Sequence, residues 1–170
     1  IFYGGSSINI VADVTMTGQA VGYGFGISVS TAGDVNGDGF SDVIAGESYF
    51  SSGKAYIFFG GSTMNNNADV TMTGEAANDQ FGKSVSTAGD VNGDGYSDVL
   101  VGAIGYSAFT GRVYIFFGNF SMNNLADVIM TGEGGNTSFG NSVSSAGDVN
   151  GDGYSDIVVG APVYISTTGR

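Results

Sequence analysis

Cysteine and histidine are both absent from this sequence. Without cysteine there is no disulfide framework and no thiol chemistry. Without histidine the commonest general base and a frequent transition-metal ligand are gone. Basic residues are scarce, four Lys and Arg against sixteen Asp and Glu, leaving a net charge of −12. Such a chain repels phosphate backbones, which argues against a nucleic-acid partner. Lys54, Arg112 and Arg170 each follow a glycine at one recurring position, so they form a structural series rather than a basic patch. No apolar run approaches the roughly 20 residues that a membrane-spanning helix needs. No signal-peptide pattern is visible, and the opening at Ile1 reads as that of a mature, trimmed or excised segment. Proline occurs once, at Pro162.

Glycine, by contrast, occurs 31 times, and apolar residues make up 42% of the chain. A packed core is therefore affordable, and many short strands joined by tight turns are expected. The dominant signal is self-similarity. Asp34-Val-Asn36-Gly-Asp38-Gly-Phe40-Ser-Asp42 recurs at 90–98 and at 148–156, changed only by Tyr96 and Tyr154 in place of Phe40. Phe25-Gly26, Phe81-Gly82 and Phe139-Gly140 precede the three loops, each followed by Ser-Val-Ser. Asp-Val-Thr-Met-Thr-Gly at 13–18 recurs at 69–74 and, with one change, at 127–132. Lys54-Ala-Tyr-Ile-Phe-Phe-Gly60 matches Arg112 to Gly118.

Each unit divides into four short strands, around 28–33, 42–46, 54–59 and 13–17 with its copies. The third puts Tyr56 and Phe58 on one face and Ile57 and Phe59 on the other. A strand apolar on both faces must lie between two layers. No stretch shows convincing helical periodicity. Units of this length and pattern describe β-propeller blades, so the fold class is all-β with three four-stranded antiparallel blades. Three blades are too few to close a ring, for which four is the usual minimum. Ile1-Phe2-Tyr3-Gly4-Gly5 reads as the tail of a Tyr-Ile-Phe-Phe-Gly strand. Residues 1–5 are thus a candidate strand to complete the last blade, in the same chain or in a neighbour.

The loops resemble the FG-GAP repeat of integrin α-subunit β-propellers in their order of Phe-Gly, Ser-Val-Ser and Gly-Asp-Val-Asn-Gly-Asp-Gly. A closing Gly-Ala-Pro element is spelled in full by Gly160-Ala161-Pro162, whereas Ala45-Gly46-Glu47 and Gly102-Ala103-Ile104 depart from it. The resemblance covers essentially the whole chain. It implies one calcium loop between the first two strands of each blade and an extracellular or cell-surface binding role, without assigning a ligand.

The residues carry the same chemistry. Calcium takes six to eight oxygens in flexible geometry. Asp34, Asn36, Asp38 and Asp42 offer side-chain oxygens and Phe40 its carbonyl. The counterparts are Asp90, Asn92, Asp94, Tyr96 and Asp98, then Asp148, Asn150, Asp152, Tyr154 and Asp156. Three Ca²⁺ ions, one per loop, would bring the charge from −12 to −6. Magnesium, with stricter octahedral demands, comes second. The start looks like an EF-hand loop, but Ala45 stands where that loop has Glu. The bland alternative is an Asn-Gly-Asp-Gly hairpin held by Asx turns alone.

These features lead to a calcium-stabilised extracellular structural or adhesive module, not an enzyme. It would assemble with further copies of itself, as a six-bladed ring or head to tail, or with flanking repeats. A protein or glycan ligand is compatible with it. A lectin-like propeller is the alternative, with Tyr23, Tyr49, Phe50, Tyr106 and Phe109 as its candidate aromatics. A non-catalytic part of a hydrolase is a third reading. The recurring Phe-Gly pairs, Tyr56, Tyr114, Met16, Met72 and Met130 are read as core. Asn119 and Asn136 each begin a glycosylation sequon.

Overall fold

The computed structural model describes residues 1–170 apart from 8–9, 19–20, 50 and 164–170. Phe50 and Arg170, singled out above, lie outside the described residues. Among the described residues, ten strands and one helical turn follow one another: β1 Phe25–Gly33, β2 Asp42–Glu47, β3 Lys54–Phe58, β4 Val70–Thr73, β5 Phe81–Gly89, β6 Asp98–Ala103, β7 Arg112–Phe116, β8 Val128–Thr131, β9 Ser142–Gly147 and β10 Asp156–Gly160. They form antiparallel sheets in the orders β1-β2-β3-β4 and β5-β6-β7-β8, with β9 and β10 paired as the third. The architecture is all-β, with antiparallel sheets built as propeller blades are. The first two blades each start at their own Phe-Gly pair and take their fourth strand from the Asp-Val-x-Met-Thr segment of the following copy.

Two β-bulges shape the inner strands β1 and β5. In β1 the register shifts between Phe25 and Ser28 and again between Thr31 and Gly33. Gly26 sits at φ +79° and Gly33 at +78°, a left-handed conformation that costs a glycine nothing. β5 repeats both shifts. The first copy of the fourth strand, 13–17, is not a regular strand here. It makes only the start of the ladder: Ile1 donates to the Val14 carbonyl at 2.7 Å and Asp13 donates to the Ile1 carbonyl at 3.0 Å.

The core lies between sheets. Ala32, Val35, Ile44, Ala55, Ile57 and Met72 of the first blade meet Phe81, Val85, Val101, Tyr114 and Phe116 of the second. The alternation foreseen in β3 holds, with Ile57 packing toward the second blade and Tyr56 and Phe58 toward the opposite side. Phe81 stands edge-on to Tyr114 at 5.2 Å between ring centroids, and Phe25 to Tyr56 at 5.6 Å, a favoured aromatic geometry. Blades approach at backbone distance. The Gly46 Cα faces the Gly82 carbonyl so closely that a Cβ has no room, and Gly102 meets Gly140 in the same way.

One helical turn, Tyr106–Phe109, departs from the all-strand expectation. Ser107, Ala108 and Phe109 all have positive φ, so it is a tight turn with no apolar periodicity to read. Its Tyr106 ring carries the Arg112 guanidinium at 3.6 Å, a cation–π contact. That covers one of the candidate sugar-stacking aromatics.

Candidate metal centre

The three nine-residue loops connect β1 to β2, β5 to β6 and β9 to β10. Each is folded by its own carboxylates. Asp34 Oδ1 accepts from Gly37 at 2.8 Å and Asp38 at 3.1 Å, and its Oδ2 accepts from Gly39 at 2.8 Å. Asn36 Oδ1 accepts from the Asp38 amide at 3.0 Å, and Asp38 Oδ1 from the Phe40 amide at 2.9 Å. Asn36 Nδ2 donates to Asp38 Oδ2 at 3.0 Å. Asp90, Asn92 and Asp94 repeat the pattern, and so do Asp148, Asn150 and Asp152. Gly37 and Gly39, at φ +76° and +88°, let the backbone curl so that these N–H groups point inward. The N–H groups of Gly153 and Gly151 hold the exposed Asp148 below the usual carboxylate range.

The ninth residue behaves differently. Asp42 and Asp98 are fully buried. Asp42 Oδ2 accepts from Val35 at 2.8 Å, and Oδ1 reaches across to Gly60 at 2.7 Å. Asp98 does the same with Val91 at 2.8 Å and Gly118 at 2.9 Å. These carboxylates tie the loop to the end of the third strand. Burial pushes Asp98 up to about 6, against the pull of those two N–H groups and with a further push from Asp94 and Asp90. Asp42 is raised for the same reasons. Asp156 accepts from Val149 at 2.8 Å.

The donor set is wholly oxygen: carboxylates, the Asn36 amide and the carbonyl of residue 40 or its equivalents. It suits a hard cation and offers nothing to a soft one. Among the described residues, no three Asp or Glu side chains converge as a ready-made cage. The first, third and fifth residues spend their oxygens on backbone N–H groups and on Asn36, Asn92 or Asn150. Oδ1 of Asp34, Asp90 and Asp148 already accepts two N–H groups, whereas Oδ2 of each and both oxygens of Asp38 and Asp94 accept one and retain acceptor capacity.

Three further groups build the site. Ser97 donates its amide to the Asp34 carbonyl at 3.0 Å and Ser155 to the Asp90 carbonyl at 2.9 Å, stitching each loop to the one before. Thr31 Oγ1 accepts from Gly33 at 3.1 Å, and Thr87 from Gly89 at 3.1 Å. Asp69 and Asp127 accept from Phe59 and Phe117 at 2.7 Å each, closing the outer turn that delivers Gly60 and Gly118. The only trace of these in the sequence is that each recurs in step with the loop.

The sequence pattern that defines the FG-GAP repeat matches residues 25–58, 81–116 and 139–170. The chain is 34% identical over 161 residues to integrin alpha-PS5 of Drosophila melanogaster, covering 85% of this chain and 16% of that protein. It is 33% identical over 168 residues to human integrin alpha-7, covering 92% and 14%. It is 35% identical over 150 residues to integrin alpha-5 of Xenopus laevis, covering 81% and 14%. The chain thus spans about one sixth or less of the length of these relatives. Three matches in register with the three sheets place the chain in the FG-GAP repeat family.

Proposed function

We propose that this chain is a calcium-stabilised segment of an extracellular adhesive or structural β-propeller that acts by binding rather than by catalysis. The observation that carries the reading is the loop electrostatics. Three carboxylates lie within each nine-residue loop, the ninth is buried in the first two loops, and Asp98 is pushed up to about 6 by that burial and its neighbours. A divalent cation held by Asp34, Asn36, Asp38, the Phe40 carbonyl and Asp42, or by either equivalent set, would offset that repulsion and lock the inner turn. The likeness to integrin α chains supports an adhesive role at the cell surface. The absence of His and Cys from the sequence supports a non-catalytic one. No helix among the described residues is long and apolar enough to cross a membrane. Further FG-GAP blades would complete the propeller.

Calorimetric titration with calcium, paired with thermal unfolding, tests this reading. Three ions per chain and a rise in Tm are expected. At 1 mM calcium and affinities of about 10⁻⁴ to 10⁻³ M, mass action stabilises by roughly 0.4 to 1.4 kcal/mol per site. No heat of binding and an unchanged Tm at millimolar calcium would leave the hairpin held by Asx turns alone.

A further inference from the structure

At the rim between the first two blades the repeat breaks its own pattern. Glu47 ends β2 opposite Phe25 as Ala103 ends β6 opposite Phe81, and Gly53 bridges to Phe81 as Gly111 does to Phe139. Counted from these anchors, Ser48 stands where the second blade has Ile104, and Ser51 where it has Phe109. Two apolar side chains of one turn are thus hydroxyls in the other. Positions that vary on an otherwise repeated scaffold are free of its packing demands, and turns on a rigid frame are where binding groups are carried.

Ser48, Tyr49 and Ser51 of the β2–β3 turn face Asn78 and Gln80 of the β4–β5 connection across a cleft of about 360 Å³, at the small end of ligand pockets. Both blades that form it have their four strands. Ser48 is 2% exposed, and its Oγ has no hydrogen-bond partner. Buried hydroxyls are nearly always paired, so this one lacks a partner that an occupant of the cleft beside it can supply. Among the described residues, the carboxamides of Asn78 and Gln80 spend none of their hydrogen bonds.

The cleft is also built in advance. The Tyr49 amide donates to the Tyr23 carbonyl at 3.0 Å. Its ring lies on Gly24, with a ring carbon 2.5 Å from where a Cβ would stand. The Lys83 ammonium stands 5.7 Å from the ring centroid, within cation–π range. The ring is therefore fixed in orientation, yet Tyr49 is 60% exposed. Across from it, the Asn78 amide donates to the Ser51 carbonyl at 2.8 Å and the Gly105 amide to the Asp79 carbonyl at 2.9 Å. Walls held by backbone hydrogen bonds need little ordering when a ligand arrives.

We propose that this cleft binds one pyranose ring, the terminal sugar of a glycan. A pyranose presents neighbouring hydroxyls at its edge and C–H groups on its faces. A carboxamide sets a donor beside an acceptor, which matches two adjacent hydroxyls, and Asn78 and Gln80 supply two such groups. Ser51 adds a hydroxyl that donates or accepts. The Tyr49 ring offers a flat apolar surface to the C–H face and a polar tip beside it. None of the five lining residues is charged, so the cleft is matched to a neutral, hydroxyl-rich ligand rather than an ionic one. The inference rests on the reading of this chain as a binding module and names its ligand class, but it does not rest on calcium.

The test is a glycan array followed by an amide-resolved NMR titration of the full chain with glucose, galactose, mannose and N-acetylglucosamine. The expected result is a response to one sugar type with a Kd of about 10⁻³ M. The amides of Tyr49, Ser51, Asn78 and Gln80 should shift most. Tyr49→Ala and Asn78→Gly should each weaken binding roughly tenfold, with the fold kept. Glycine retains the left-handed backbone that Asn78 adopts at φ +70°. The two substitutions lie on opposite walls, so one still reports if the other unfolds. No response to any sugar, on the array or in solution, would overturn the proposal. Binding that persists undiminished in both variants would overturn the cleft as its site. Calcium calorimetry on the same samples keeps the two readings apart. A chain that binds calcium but no sugar sinks only the cleft, and one that binds sugar but no calcium sinks only the metal reading.

Discussion

The Tyr96 ring lies where a side chain on Gly37 would begin, 2.6 Å from the Cβ position, so one loop occupies the space that the previous loop leaves empty. Gly39, two residues on, has the same left-handed backbone but open space above it. Ala at Gly39 is therefore expected to cost only backbone strain, about 1–2 kcal/mol. Ala at Gly37 adds displacement of the ring, roughly a further 1–3 kcal/mol. Urea unfolding of the two variants separates the effects, and equal losses would mean that the ring is not seated there.

Asp98 and Asp156 occupy the same loop position in different surroundings. Asp98 is fully buried and accepts from both Val91 and Gly118, while Asp156 is partly exposed and accepts from Val149. Asp98→Ala strands two buried donors and should cost about 2–4 kcal/mol. Asp156→Ala should cost less than about 2 kcal/mol by the same reasoning. Chemical denaturation in chelator isolates this structural contribution from any metal. The reverse order of the two losses would refute the bracing role.

Tyr114 donates to Glu75 Oε1 at 3.1 Å, and Arg112 clasps both Glu75 oxygens at 2.8 and 2.9 Å. Burial first, then the Glu75 carboxylate, push the Tyr114 hydroxyl up to about 12. A raised folded value means that the folded chain holds this proton more tightly than the unfolded chain does. The contribution is complete below about pH 10, the unfolded value, and is lost as pH rises from there through about 12. The stability margin of the wild type over Tyr114→Phe should shrink across that window and stay level from pH 7 to 9. A margin that is flat to pH 12 would contradict it.

Glu75 is 45% exposed in its ion pair with Arg112, so solvent and salt screen it. Glu75→Gln should cost only about 0.5–1 kcal/mol at low ionic strength. The loss should shrink toward zero in 1 M salt, where the Debye length is about 3 Å. A loss that does not change with salt would point to packing instead of charge.

Gly46 faces the Gly82 carbonyl across the first blade junction. Backbone cannot yield as a flexible side chain can, so Gly46→Ala must part the two sheets. A loss of more than about 3 kcal/mol is expected, at the high end for overpacking. Thermal unfolding of this variant beside Gly39→Ala checks it, and a comparably mild effect would mean that the blades can shift apart freely.

Much of this molecule was legible in the chain because its physics is local and written more than once. The period, the inner and outer strands, the two-faced third strand and the loop residues all follow from spacing. Tyr56, Tyr114 and Met72 were read as core because they recur in step, and all three are buried. The helical turn at Tyr106 escaped, since three positive φ angles leave no periodic trace. The hydroxyls of Tyr56 and Tyr114 look equivalent in the sequence, yet one meets Glu47 on the neighbouring strand and the other meets Glu75 beyond the fourth strand. No spacing rule announces that difference.

By itself, then, the sequence determined which residues form strands, which turns need glycine and where oxygen gathers, because those depend on neighbours along the chain. Tertiary structure alone decided that the fourth strand of a blade comes from the following copy. It alone joined Asp42 to the Gly60 amide and Asp34 to the Ser97 amide, and seated a tyrosine of one loop on a glycine of another. These contacts join groups up to 63 positions apart, and they exist only once the sheets have stacked and excluded water from the space between them.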